Sequence, residues 1–183
     1  MKILVISDTH GDIKRAVNLV NSIKGIDLII HCGDNKRDAE KLAERFPGIE
    51  VIAVNGNCDM HMGTDFTIVK TNAGDIFVTH GHDYGVGYAL DGIVEEAKNY
   101  DCRAICFGHT HKPLCMVLGD IVIVNPGSLS EPRGGSKPSC AVITTDGDKF
   151  YANIVHYDTV CGSKTELRKS GKLRDMLNYS DGF

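Results

Sequence analysis

The chain has 183 residues, 42% of them hydrophobic and 24% charged, with a net charge of −4 and a pI near 6.0. That length and mixture suit one soluble globular domain that buries a full core without disulfide or metal staples. The acidic balance argues against duplex nucleic acid as the main partner, and no apolar run approaches the roughly 18 residues of a membrane span.

Ile3 to Ile6 are consecutive apolar residues, as in a strand buried on both faces. The run stops at Ser7, and Asp8 and His10 follow where the strand would leave its sheet. In open α/β sheets ligands bind outside the carboxyl ends of strands. Two residues apart in extended backbone, Asp8 and His10 are expected to point the same way. Asp12 is expected to cap a helix carrying Ile13, Ala16, Val17, Val20 and Ile23, which Gly25 ends. Leu28-Ile29-Ile30 reads as a second strand, leading to His31-Cys32-Gly33-Asp34. A helix follows from about Arg37 to Phe46, then a third strand, Val51 to Val54, ending in Asn55-Gly56-Asn57-Cys58-Asp59. This order is that of a parallel sheet with right-handed crossovers.

The pattern then changes. Residues 60–66 read as loop; Phe66–Lys70 and Ile76–Thr79 read as a hairpin whose second arm runs into His80-Gly81-His82. A helix is expected from Tyr88 to Asn99, and a strand, Ala104 to Phe107, delivers Gly108-His109-Thr110-His111. Two further strand pairs are expected, Leu114–Leu118 with Ile121–Val124, and Ser139–Thr144 with Lys149–His156 about an Asp146-Gly147 turn. Asn125 to Gly135 lies between them as an irregular loop. Residues 1–158 thus read as one domain. Residues 159–183 read as a polar tail or as a surface helix around Glu166–Leu177.

Seven cysteines with no Cys-x-x-Cys pair argue against a disulfide framework and a structural zinc. The amino terminus reads as a core strand and not as a signal peptide. A reducing, cytoplasmic location is the expectation.

Five strands each end in a candidate metal ligand or pair: Asp8/His10, Asp34, Asn57, His80 and His109/His111. These are O and N donors with no thiolate, which suits Mn²⁺, Fe²⁺, Ni²⁺, Mg²⁺ or Zn²⁺ in open five- or six-coordinate sites. Seven ligands are too many for one ion and enough for two if one carboxylate bridges.

In this order, Asp8-x-His10, Gly33-Asp34, Gly56-Asn57-x-Asp59, His80 and Gly108-His109-x-His111 resemble the calcineurin-like metallophosphoesterase superfamily, and most closely its small YfcE-like phosphodiesterase branch. The resemblance implies an α/β fold, a four-layer α/β/β/α sandwich of two mixed sheets. It implies that Asp8, His10 and His111 hold a first metal ion, that Asn57, His80 and His109 hold a second, and that Asp34 bridges them. Mn²⁺ is the expected metal. Two ions roughly 3.5–4 Å apart can share a hydroxide that attacks phosphorus, so no protein nucleophile is required. The expected substrate is a small phosphodiester. Many members of the superfamily carry His after the ligand Asn; here Cys58 stands there, with Asp59 retained. A thiol is a poorer acid than imidazolium, which favours diesters with good leaving groups over phosphomonoesters. His82 and Arg133 are candidates for substrate contact. The alternative for Arg133 is packing or an oligomer contact, which leaves a homo-oligomer open. The rival functions are a nuclease or nucleotide phosphatase on the same site, or a protein-binding scaffold like the retromer subunit that shares the fold.

Overall fold

The computed structural model describes residues 1–59 and 63–162. In it the unbroken apolar runs become strands because both of their faces are covered. Strands β1 (Lys2–Ile6), β2 (Leu28–His31) and β3 (Glu50–Ala53) are joined by helices α1 (Lys14–Ser22) and α2 (Lys36–Arg45). The hairpin strands β4 (Phe66–Val69) and β5 (Asp75–Thr79) lead through a short 3-10 turn, His82–Tyr84, to α3 (Asp91–Asn99) and β6 (Cys102–Cys106). Strands β7 (Leu114–Leu118), β8 (Ile121–Asn125), β9 (Ser139–Asp146) and β10 (Lys149–His156) follow, then α4 (Tyr157–Cys161).

The strands form two mixed five-stranded sheets, in the orders β10-β9-β1-β2-β3 and β4-β5-β6-β8-β7. Strands β1, β2 and β3 run parallel, as do β5, β6 and β8. Strand alternation sorts the core. Ile3, Val5, Leu28 and Ile30 meet Ile76, Val78, Ala104 and Cys106 between the sheets. Leu4, Ile6 and Ile29 point the other way onto Ala16, Leu19 and Leu42 of α1 and α2, while Phe77 and Ile105 pack on Ile93 and Ala97 of α3. The result is the expected α/β/β/α sandwich.

Several expectations shift locally. The residue before α1 is Ile13, not Asp12; Asp12 instead accepts a hydrogen bond from the Lys14 N–H at 3.1 Å, an Asx turn one position earlier. Helix α3 starts at Asp91 and not Tyr88, since residues 85–89 form turns around glycines at 85 and 87. In the last hairpin Asp146 pairs with Lys149, so the two turn residues are Gly147 and Asp148, with φ of +56° at Gly147. The boundary expected at residue 158 falls inside α4, which packs on α1 through the hydrogen bond from Asn18 Nδ2 to the Tyr157 hydroxyl. The surface helix expected around residues 166–177 lies outside the described residues. No described helix is long and apolar enough to cross a membrane.

Candidate metal centre

The carboxyl ends of β1, β2, β3, β5 and β6 converge, and the seven candidate ligands come together there from both sheets. The spacing argument for Asp8 and His10 fails in detail. Neither is extended: their φ values are +54° and +45°, and Asp34, His109 and His111 adopt +58°, +66° and +57°. After β1, β2 and β6 the side chains converge because left-handed turns bend the chain at the strand end, not because strand alternation aligns them. Such conformations cost on the order of 1 kcal/mol or more per non-glycine residue and cluster at functional sites.

One set of donors, from Asp8, His10, Asp34 and His111, has all its ligand atoms within 4.8 Å of one another. Beside it, Asn57 Oδ1 lies 3.1 Å from His80 Nε2 and 2.9 Å from His109 Nδ1. Asp34 faces both groups, with Oδ2 3.9 Å from His10 Nε2 and Oδ1 3.4 Å from His80 Nε2. Asp8, Asp34, His80 and His111 are all buried.

The donors fit a cation. His80 Nδ1 lies 2.7 Å from the Cys32 carbonyl and His111 Nδ1 lies 2.6 Å from the Glu131 carbonyl. A carbonyl only accepts, so each Nδ1 carries the proton and each neutral ring turns the Nε2 lone pair inward. Those lone pairs face Asp8 Oδ1 at 4.0 and 3.2 Å. Asp8 Oδ1 is buried and has no donor directed at it. Acceptors facing acceptors in a buried site repel one another; a divalent ion among them would reverse the sign. Metal-bound histidines usually donate their other nitrogen in this way.

Electrostatics agree with a shared positive site. Burial raises the Asp8 carboxyl, but positive charge on the sides where His111 and His80 face it, together with the Ser7 hydroxyl, outweighs burial and leaves the pKa lowered. His111 is raised, mainly by its contact with Asp8, and His109 is lowered, mainly by burial. The Cys58 thiol is pushed up to about 11 by burial and then by Asp34, so it stays protonated at neutral pH.

The remaining candidates fall into place differently. Cys58 sits at the rim, its N–H donating to Asp34 Oδ1 at 2.9 Å. Asp59, retained after Cys58, accepts three backbone N–H groups on its carboxylate, from Asn35, Lys36 and Gly56, at 3.1, 2.9 and 2.8 Å. It clamps the β3 loop to the start of α2. His82 stands beyond the donors, with its ring centroid 5.5 Å from that of His80 and 6.1 Å from that of His109. The Arg133 N–H donates to the His111 carbonyl at 3.1 Å, and its side chain lines a cavity that also touches His109.

Sequence reasoning missed the layer behind the ligands. Ser128 Oγ and Ser130 Oγ both donate to the Asp8 carbonyl at 2.8 Å. Asn125 Nδ2 donates to the Gly108 carbonyl at 2.7 Å. The loop at residues 125–135 therefore braces the first and last ligand turns. Its Asn-Pro-Gly-Ser run gave a loop signal but no indication of what it holds.

His31, at the end of β2, is fully buried. Its Nδ1 accepts from the Gly33 N–H, so Nε2 donates to Thr9 Oγ1, which in turn donates to Asp38 Oδ2 at 2.8 Å. Asp38 also accepts from the Gly11 N–H at 2.7 Å. Burial lowers the His31 pKa from the ordinary imidazole value of 6.5 to about 4. The unfolded chain therefore binds a proton that the folded chain refuses, so stability falls as pH drops from about 6.5 to about 4. The contribution approaches about 3 kcal/mol at 1.36 kcal/mol per unit. Urea unfolding at pH 7 and pH 4.5 checks this. The wild-type loss should exceed that of His31→Gln, and equal losses would remove His31 as the cause.

Comparison with known proteins agrees with this geometry. Residues 1–148 match the family model described as the calcineurin-like phosphoesterase superfamily domain. The chain is 34% identical over 161 residues to the "Probable metallophosphoesterase YsnB" of Bacillus subtilis, covering 86% of this chain and 91% of that one. It is 30% identical over 170 residues to "Phosphodiesterase YfcE" of Escherichia coli K12, covering 80% and 89%. A solved structure from Streptococcus pneumoniae TIGR4, described as a conserved uncharacterized protein and predicted phosphoesterase, superposes with a TM-score of 0.73 at 28% identity. That match covers 86% of this chain and 90% of the other.

Proposed function

The chain belongs to the calcineurin-like phosphoesterase superfamily and is a metal-dependent phosphoric ester hydrolase; from that premise we propose that it is a dinuclear phosphodiesterase for small diesters. The observation that carries this reading is Asp34, whose two oxygens face two separate donor groups. Asp8, His10, His111 and Asp34 would hold one ion; Asp34, Asn57, His80 and His109 would hold the other. When bound, two divalent ions supply Lewis-acid polarisation of phosphoryl oxygens and activate water at neutral pH.

The chain's own residues position and exclude. Cys32 and Glu131 carbonyls fix the ring orientation of His80 and His111, so neither ring has to reorganise during turnover. Asp59 holds Gly56 against α2 and thereby sets where Asn57 stands. Cys58, protonated at the rim, gives little help to a basic leaving oxygen. Diesters with acidic alcohols are thus the favoured substrates. All-O/N donors support Mn²⁺ over a thiolate-preferring metal, and free thiols at every described cysteine support a reducing compartment. Net acidity weighs against the nuclease reading.

The test is hydrolysis of bis(4-nitrophenyl) phosphate with metal analysis and circular dichroism. EDTA should abolish turnover while leaving secondary structure intact, because the core between the sheets contains no ligand. Mn²⁺ should restore turnover at two ions per chain. Saturation at one ion per chain, or turnover that survives chelation, would rule the proposal out.

A further inference from the structure

Two cavities open beside the donor cluster. One of about 490 Å³ shares His10 with it, takes in Cys58 and Asp59 beside it, and is otherwise lined by polar groups such as Asn35, Arg37 and Glu40. The other, about 460 Å³, shares His109 and is of a different character. Val86 and Phe107, at 7% and 1% exposure, belong to the core cluster over the second sheet, and Leu90 and Leu114 pack against that cluster. All four line the cavity, which is therefore a place where the core opens to solvent next to a candidate metal ligand.

We propose that the cavity beside His109 is the subsite for a flat aromatic ring on one ester arm of the substrate, with Arg133 at its rim taking a phosphate oxygen. This rests on the diesterase reading above. Three observations support it. The floor is preformed: Gly81 has φ of +100°, and a Cβ there would come within 2.8 Å of Val86, so glycine is what lets Val86 seat against the core. Tyr88 also lines the cavity and is 100% exposed, an aromatic side chain with no protein surface to cover it. Its N–H donates to the Gly85 carbonyl at 2.9 Å, which fixes its backbone beside the cavity, so a ring entering there has only the Tyr88 side chain to order. Finally, the Arg133 guanidinium has no hydrogen bond or ion pair among the described residues. Its backbone, though, is tied to His111, which keeps a positive charge at the boundary between cavity and donors. The volume lies within the range of small-molecule sites, roughly 300–1,000 Å³, and the mixture of apolar walls with few charged groups is typical of them.

The ring can come from a simple aryl ester or from a nucleobase, since both present a flat π-face. Ligand-observed NMR with Mg²⁺ present separates these, using the methyl, phenyl and thymidine esters of methylphosphonic acid. These probes report affinity whether or not turnover occurs. The phenyl probe should bind at least about tenfold more tightly than the methyl one. Tyr88→Ala, at an exposed turn position whose loss leaves the core untouched, should shrink that preference about three- to tenfold. Arg133→Ala should weaken the methyl and phenyl probes by the same factor. Thymidine binding that matches or exceeds phenyl identifies a nucleobase; weaker binding identifies an aryl group. Equal affinity for all three probes, or a ring preference untouched by Tyr88→Ala, would overturn the subsite. Ring preference without metal-dependent turnover would keep the subsite and overturn the diesterase reading instead.

Discussion

Asp34→Asn is expected to lower diester hydrolysis on the order of 10³-fold at saturating Mn²⁺, and to cost more than His10→Ala. Losing one metal position forfeits several kcal/mol of transition-state stabilisation, and each 1.36 kcal/mol is about tenfold. Asp34 turns a different oxygen to each donor group, Oδ2 toward His10 and Oδ1 toward His80. Its Oδ1 accepts from the Cys58 N–H, so an amide in its place would keep oxygen on that side. The NH₂ would then turn toward His10, placing donor hydrogens where a cation is to sit. His10 lies nearer the surface, with 22% side-chain exposure, and its loss leaves Asp8, Asp34 and His111 in place. Initial rates for the two variants under the same metal concentration decide the matter. More activity left in Asp34→Asn than in His10→Ala would refute the bridging assignment.

Gly56→Ala should destabilise the protein by about 3 kcal/mol or more, at the severe end of overpacking, and should abolish turnover. A Cβ at Gly56 would collide with the Asp34 carboxylate oxygen Oδ1 and with the Asp34 backbone nitrogen, and would come within 2.9 Å of its Cα. Backbone at the end of β2 cannot give way without moving Asp34, and movement on the β3 side displaces Asn57. Both metal groups suffer from one methyl. Gly48→Ala is the control, because nothing lies within 4 Å of a Cβ there. Urea unfolding and diester hydrolysis are the measurements. A Gly56→Ala protein as stable and as active as Gly48→Ala would show that the two loops are not in the contact described.

The strand runs at Ile3–Ile6, Leu28–Ile30 and Ala104–Phe107 were legible because a strand covered on both faces has to be apolar throughout. The ligands were legible because each falls immediately after such a run, where side chains leave the core. Element ends were read less well. Nothing local distinguishes Tyr88 from the first turn of α3, since Leu90, Ile93 and Val94 keep helical spacing and only the glycines at 85 and 87 argue otherwise. The contacts of Asp59 were hidden for a different reason. In sequence it is an acid two residues from a candidate ligand, and only its three backbone donors show that it serves the loops.

By itself the sequence determined the donor inventory, the strand each donor follows and the strand–helix–strand order of the first half, because periodicity and residue type are local properties of the chain; the four-layer sandwich came from the resemblance to the superfamily. Only the tertiary structure decided which nitrogen His80 and His111 turn inward, and that Ser128 and Ser130 brace Asp8 from 120 and 122 residues away. Those features depend on pairing between β1, β2 and β3 in one sheet, between β5 and β6 in the other, and on the packing of the two sheets. They are long-range contacts, and no spacing rule within a single segment encodes them.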